Sequence, residues 1–210
     1  MKIESISKLE RVSDRYIVLF DNGAEIKVSS GQIAEYGVYS GRELSDDDYS
    51  ELCKDLELGS SKARALRILG SRSMSAREME KRLVNKGESA ETARRTVEWL
   101  EDIGAVNDME YAGSIANHYY SKGYGFARIK DELYKRGIER EMWEEALSGI
   151  GEPEDAAFDF IVKKLRGTVD KGELQRMANM LCTRGFSYGE ARTAVNRYIE
   201  SIEEIEDVGL

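Results

Sequence analysis

One short pattern occurs three times in the last two-thirds of this chain: Leu83-x-x-Lys86-Gly87, Leu133-x-x-Arg136-Gly137 and Leu181-x-x-Arg184-Gly185, the glycines standing 50 and 48 residues apart. The register extends on both sides. Four residues before each leucine comes Met79, Ile129 or Met177; six after each glycine comes Ala93, Trp143 or Ala191, and ten after comes Val97, Leu147 or Val195. A spacing of four keeps side chains on one helical face. A glycine just beyond such a face supplies the left-handed residue that ends a helix. Each repeat therefore predicts a helix closing at its glycine and a second helix after it. Ser75-x-x-Glu78, Asp170-x-x-Glu173 and Ser187-x-x-Glu190 have capping-box spacing, Asp108 can cap a helix beginning near Met109, and Pro153 suits a first helical position. One more helix precedes each pair, over 62–70, 109–122 and 154–166. The pattern predicts three tandem three-helix repeats.

A repeat of this size is too small to bury a stable core alone, so neighbours should pack on one another in an extended, curved array. The fold class is mainly α, with a small N-terminal α+β domain. Tyr16–Phe20, the turn Asp21-Asn22-Gly23 and Glu25–Val28 predict a hairpin in that domain, and 3–9 reads as another strand. Ser45 ahead of Asp46, Asp47 and Asp48 predicts a capped helix with an acidic first turn rather than a metal site. Gly59-Ser60-Ser61 reads as a linker. The expected domains are 1–58, 59–107, 108–152 and 153–210, with a looser turn over 167–172 in the last.

Several function classes drop out. His118 is the only histidine among 210 residues, and a triad would have to be built on it alone inside a helix. Lys122-Gly123-Tyr124-Gly125 is a helix-to-helix turn, since a dinucleotide loop needs a strand before it and a small residue where Arg128 stands. No Walker lysine follows a glycine loop. Cys53 and Cys182 lie far apart without companion ligands and read as small core residues in a reducing compartment. Glu4, Glu10 and Arg11 stand near the N-terminus with no apolar run of signal-peptide length, and no 18-residue apolar run occurs, so neither a leader nor a membrane span is expected. No catalytic residue, metal or cofactor is called for, and a cytoplasmic location is expected.

The remaining signal is charge. The chain carries a net −9, and residues 1–58 alone carry −6, yet residues 62–86 hold eight cations against Glu78 and Glu80, a local +6. An anionic partner would go there. On the first helix of the first repeat Ala65, Leu66 and Leu69 should share a buried face, with Arg64 and Arg67 opposite. On the next helix Arg77 and Lys81 should point outward. Arg72, Arg82 and Lys86 complete the cluster. Lys122, Arg128 and Lys130, interleaved with Tyr119, Tyr120, Tyr124 and Phe126, form a second candidate strip; helix packing uses such aromatics routinely. Nucleic acid, an acidic protein groove, or both would answer these charges.

Ala65-Leu66-Arg67-Ile68-Leu69, Arg72, Ser75-x-x-Glu78, Leu83-x-x-Lys86-Gly87, Asn107-Asp108-x-x-Tyr111-Ala112 and Gly125-x-x-Arg128-Ile129-x-x-Glu132-Leu133-x-x-Arg136-Gly137-Ile138 together resemble the RecX family. The likeness spans about 59–202, and residues 1–58 look like an extension that some members carry. It implies a non-enzymatic regulator of the RecA recombinase in recombinational DNA repair. Such a protein lies in the groove of the filament of RecA and single-stranded DNA, bridges protomers, and suppresses ATP turnover, strand exchange and growth. A monomer with little independent DNA binding is expected, because −9 opposes phosphate-driven affinity. The competing readings are a DNA-binding protein of helix-turn-helix-like units and a helical scaffold for another partner.

Overall fold

The computed structural model describes residues 1–10, 13–165 and 170–208, the side chains of 204–208 excepted. The chain divides into two compact units, residues 1–68 with 83–96 and residues 69–82 with 97–210.

In the first unit, β1 (Ile3–Lys8), β2 (Tyr16–Phe20) and β3 (Glu25–Val28) form an antiparallel sheet in that order. The expected hairpin is present: Asn22 accepts the Ala24 N–H on its side chain, and Gly23 takes φ +80°. Ile3, Val18, Phe20 and Val28 bury one face against Val38, Leu44 and Leu52, and Tyr49 meets the Phe20 ring edge-on at 5.3 Å. A short helix, α1 (Ser30–Glu35), has a Ser29/Gln32 capping box, and Gln32 also donates to Asp55.

Helix α2 (Asp46–Leu69) starts as expected, with the Asp48 N–H on Ser45 Oγ. It then runs straight through Gly59-Ser60-Ser61, so the expected linker is the middle of a 24-residue helix. Ser61 is fully buried, its hydroxyl 2.9 Å from that of Thr96. That pairing lets the helix carry a polar residue on its inner stripe. The stripe runs Ser61 to Ala65, which turns Leu66 outward to 45 % exposure; the expectation that Leu66 is buried fails because the helix phase is set upstream.

The repeat pattern appears as read. Helix α3 (Ala76–Val84) is followed by α4 (Ala90–Asp102), α5 (Asp108–Ser121), α6 (Phe126–Lys135), a 3₁₀ turn (Arg140–Met142) and α7 (Trp143–Ser148). Then come α8 (Pro153–Lys164), α9 (Lys171–Thr183) and α10 (Tyr188–Val208). Met79, Leu83, Ile129, Leu133, Met177 and Leu181 are all buried. Gly87, Gly137 and Gly185 take φ of +95°, +75° and +91°. The next residue in each case, Glu88, Ile138 or Phe186, donates its N–H back to the motif leucine carbonyl, a Schellman closure made three times. Capping boxes form at Ser75, Asp170 and Ser187, and Pro153 opens α8.

Within the second unit, α5 to α7 pack around Ala112, Ile115, Ala116, Ile129, Leu133, Ile138, Ala146 and Leu147. Helices α8 to α10 pack around Phe160, Ile161, Met177, Leu181, Phe186, Ala191 and Tyr198. Asp108 does not cap its own helix. Asn107 does so, and Asp108 reaches the Ala76 N–H of α3 at 2.8 Å. Cys182, expected inside, is exposed, because it follows the inward motif leucine on α9; Cys53 is half-buried. Part of the turn expected over 167–172 lies outside the described residues. No helix among the described residues is long and apolar enough to cross a membrane.

Candidate functional site

The cations of the first repeat fall into two groups by what they touch. Arg64 on α2 is committed to structure: it pairs with Glu88 at 2.8 Å and donates to the Lys86 carbonyl. Glu88 occupies the position where the other two repeats place the buried Ile138 and Phe186. A carboxylate there needs a counter-charge, and Arg64 supplies it. Arg72 pairs with Glu78 at 3.7 Å. Arg67 on α2, Arg77, Lys81 and Arg82 on α3, and Lys86 just beyond it are exposed and make no ion pair among the described residues. Glu78 does not pair with Arg82, one turn on; Arg72 and Arg136 hold it instead.

Arg77 and Lys81 line a groove of about 230 Å³ with Glu78, Tyr134, Lys135, Arg136 and Gly137. Four cations face one carboxylate across it. Tyr134 is 64 % exposed on α6. Arg136 is drawn to the Glu78 carboxylate at 3.8 Å and donates to the Tyr111 hydroxyl at 2.7 Å. Lys135 sits on Glu132 at 2.9 Å, and that hydrogen bond holds the Glu132 carboxyl below its ordinary range. An anionic surface would find two unpaired cations, two paired ones and an aromatic ring in one concavity.

Tyr134, Lys135 and Arg136 were not among the contact residues expected from sequence, although Arg136 stands in the repeat motif. The signal was available. The residue after each motif leucine, Val84, Tyr134 or Cys182, is exposed in every repeat.

The second candidate strip does not assemble. Lys122 ends α5 beside His118, 2.9 Å from its Nε2. Arg128 pairs with Glu132 at 3.2 Å, and Lys130 is exposed on another turn of α6. Tyr119, Tyr120 and Phe126 pack on the core of the second repeat. Tyr124 lies under the Arg184 guanidinium at 4.0 Å. These rings are spent on packing.

Two family models match the chain: the first three-helix domain of RecX over residues 62–100 and its second three-helix domain over residues 107–147. A regulatory protein RecX from Caldanaerobacter subterraneus subsp. tengcongensis is 28 % identical over 198 residues, covering 93 % of this chain and 99 % of that protein. One from Xanthomonas campestris pv. campestris (strain B100) is 30 % identical over 140 residues, 65 % of this chain and 86 % of that protein. The crystal structure of a regulatory protein RecX superposes with a TM-score of 0.75 at 19 % identity, covering 93 % of this chain and 98 % of that one. That of RecX from Lactobacillus salivarius gives 0.60 at 20 % identity, over 67 % of this chain and 96 % of that one. These two support the fold.

Proposed function

The chain belongs to the RecX family, and from that premise we propose that it is a non-enzymatic regulator that binds the filament of RecA and single-stranded DNA in its helical groove. Bound there as a monomer in the cytoplasm, it slows ATP turnover, strand exchange and filament growth by bridging neighbouring protomers. The reading is carried by one observation: tandem three-helix repeats, the first of which presents Arg67, Arg77, Lys81 and Arg82 without counter-charges among the described residues. Linked modules turn each later contact into an intramolecular event, so modest contacts sum to firm binding only where a partner surface also recurs. A filament recurs; an isolated protomer does not. No group on the regulator has to touch the reacting phosphates, because an obstructed filament motion lowers turnover by itself.

The protein surface of the filament supplies most of the affinity and the cations assist. Arg128, Lys122 and Lys130 belong at most to the margin of this contact, and Arg64 to none of it. A second reading, in which the groove takes DNA directly, is favoured by the exposed ring of Tyr134 above the four cations. Steady-state ATPase assays of preformed filaments separate the two. The parent protein should lower turnover. Arg67→Glu, Arg77→Glu, Lys81→Glu and Arg82→Glu combined should weaken that effect at least about tenfold at unchanged helicity, the scale of losing a few charge-assisted contacts. Undiminished inhibition by the variant overturns the site, and a parent without effect on turnover or filament lifetime overturns the function.

A further inference from the structure

Within the second compact unit, one joint is made twice. At the first occurrence, Ser75, the N-cap of α3, donates its hydroxyl to the carbonyl of Arg136. Gly137 lies so close to Arg77 that a Cβ there would sit 2.6 Å from the arginine Cδ. At the second, Gly125, the N-cap of α6, donates its N–H to the carbonyl of Arg184 at 3.1 Å, and the Ala127 N–H reaches the Gly185 carbonyl at 3.3 Å. Gly185 faces Arg128, where a Cβ would lie 2.6 Å from the Arg128 nitrogen, and a Cβ on Gly125 would overlap the Gly185 carbonyl. The same two places in the repeat meet both times: the start of the middle helix of one repeat and the Arg-Gly turn of the next. The third copy of the turn, at Lys86 and Gly87, has no repeat before it, and nothing stands within 4 Å of the Cβ position at Gly87.

The arginine side chains lock these joints. Arg184 donates to the Gly123 carbonyl at 2.7 Å and the Lys122 carbonyl at 2.6 Å. Its guanidinium lies 4.0 Å from the Tyr124 ring centre and 4.4 Å from that of Phe160, joining the turn between α5 and α6 to α8. Only a planar fork with several donors makes those contacts together; an ammonium on the same stem does not. Arg136 ties its joint through Glu78 and the Tyr111 hydroxyl. The turn with open space at its glycine, held by Arg64 of α2 rather than by a preceding repeat, carries Lys86 where the other two turns carry arginine.

We propose that Arg136 and Arg184 are positioning residues that fix a single step between successive three-helix repeats, and that a repeating polymeric partner is recognised through that step. The second half rests on the function proposed above; the first does not. Two measurements keep them apart. In full-length protein with Cys53→Ser and Cys182→Ser, spin labels at Asp131→Cys on α6 and Thr193→Cys on α10 report the step as a distance distribution. The parent should give one narrow distribution, and Arg184→Ala should at least double its width while far-UV helicity stays constant. Arg184→Lys keeps the charge and most of the bulk, and should broaden it as well; it serves if the alanine variant fails to fold. On preformed RecA filaments both variants should need roughly tenfold more protein for half-inhibition, with binding to unassembled RecA changed less than twofold. An unchanged distribution in the lysine variant overturns the positioning role. A broadened distribution with undiminished inhibition overturns recognition through the step. If the parent itself fails to inhibit, the proposed function falls and the distance measurement still decides the joint.

Discussion

Glycine plays opposite parts at two positions of this chain. Gly59 lies mid-helix in α2 with open space where a Cβ would point. Alanine there removes unfolded-state freedom without meeting anything, so Gly59→Ala should raise stability by about 0.5–1 kcal/mol, read as a higher melting temperature. Gly125 is buried against the Gly185 carbonyl, and Gly125→Ala should cost about 1–3 kcal/mol as the joint is forced apart. Asp108 offers a test by pH. Burial raises its carboxyl above the ordinary value, Glu139 and Glu78 add to this, and the Ala76 N–H works against it. With the folded-state value raised, the native protein holds a proton that the unfolded chain has lost. Stability therefore falls as pH rises from about 4, the unfolded value, through the folded one. Asp108→Asn keeps an acceptor for Ala76 and removes the charge. It should match the parent near pH 3 and melt higher at pH 7, whereas Asp108→Ala, which loses the acceptor, should cost about 1 kcal/mol at both. An asparagine variant that melts below the parent at pH 7 would show that the charge, not the acceptor, holds the joint.

Helix boundaries in the repeats were readable because local chemistry sets them: a glycine at the left-handed position, a serine or aspartate three residues before a glutamate, a four-residue apolar spacing. What escaped depends on partners distant in sequence. Gly59-Ser60-Ser61 has linker composition, and only the burial of Ser61 beside Thr96, 35 residues on, explains why the helix continues. Asp108 has the look of a local cap and instead serves a helix 32 residues earlier. The candidate site divides the same way. Exposure of Arg67, Arg77, Lys81 and Arg82 follows from helix phase, but the loss of Arg64 to Glu88 follows from a substitution at the turn of the first repeat. Single substitutions separate these classes. Arg64→Ala should lower stability by about 0.5–1 kcal/mol, the range for a partly exposed pair, and leave filament inhibition intact. Lys81→Ala should leave the melting temperature within about 0.5 kcal/mol of the parent and weaken inhibition. A swap of those outcomes would exchange the roles assigned to α2 and α3.

At the scale of the whole chain, charge and repetition decide how the cations can be used. A net −9, with four cations of the candidate cluster (Arg67, Arg77, Lys81 and Arg82) exposed on α2 and α3 and unpaired among the described residues, sets a ceiling on what phosphate neutralisation at this cluster can provide. If each met one phosphate, log K for naked duplex would fall against log salt with a slope of about −3.6, and the charge of residues 1–58 works against even that. Such a contact is worth non-specific binding in the 10⁻⁴–10⁻⁶ M range at physiological salt. Titration by fluorescence anisotropy on duplex and single-stranded DNA, at several salt concentrations, should therefore give weak binding with a slope no steeper than about −4. The same titration on RecA-coated DNA should give much tighter binding with a slope no larger, since the added free energy comes from protein contacts made in register. A steep slope on naked DNA, with no gain from RecA, would move the protein to the direct DNA-binding class and leave Tyr134 and its cationic groove as the binding site.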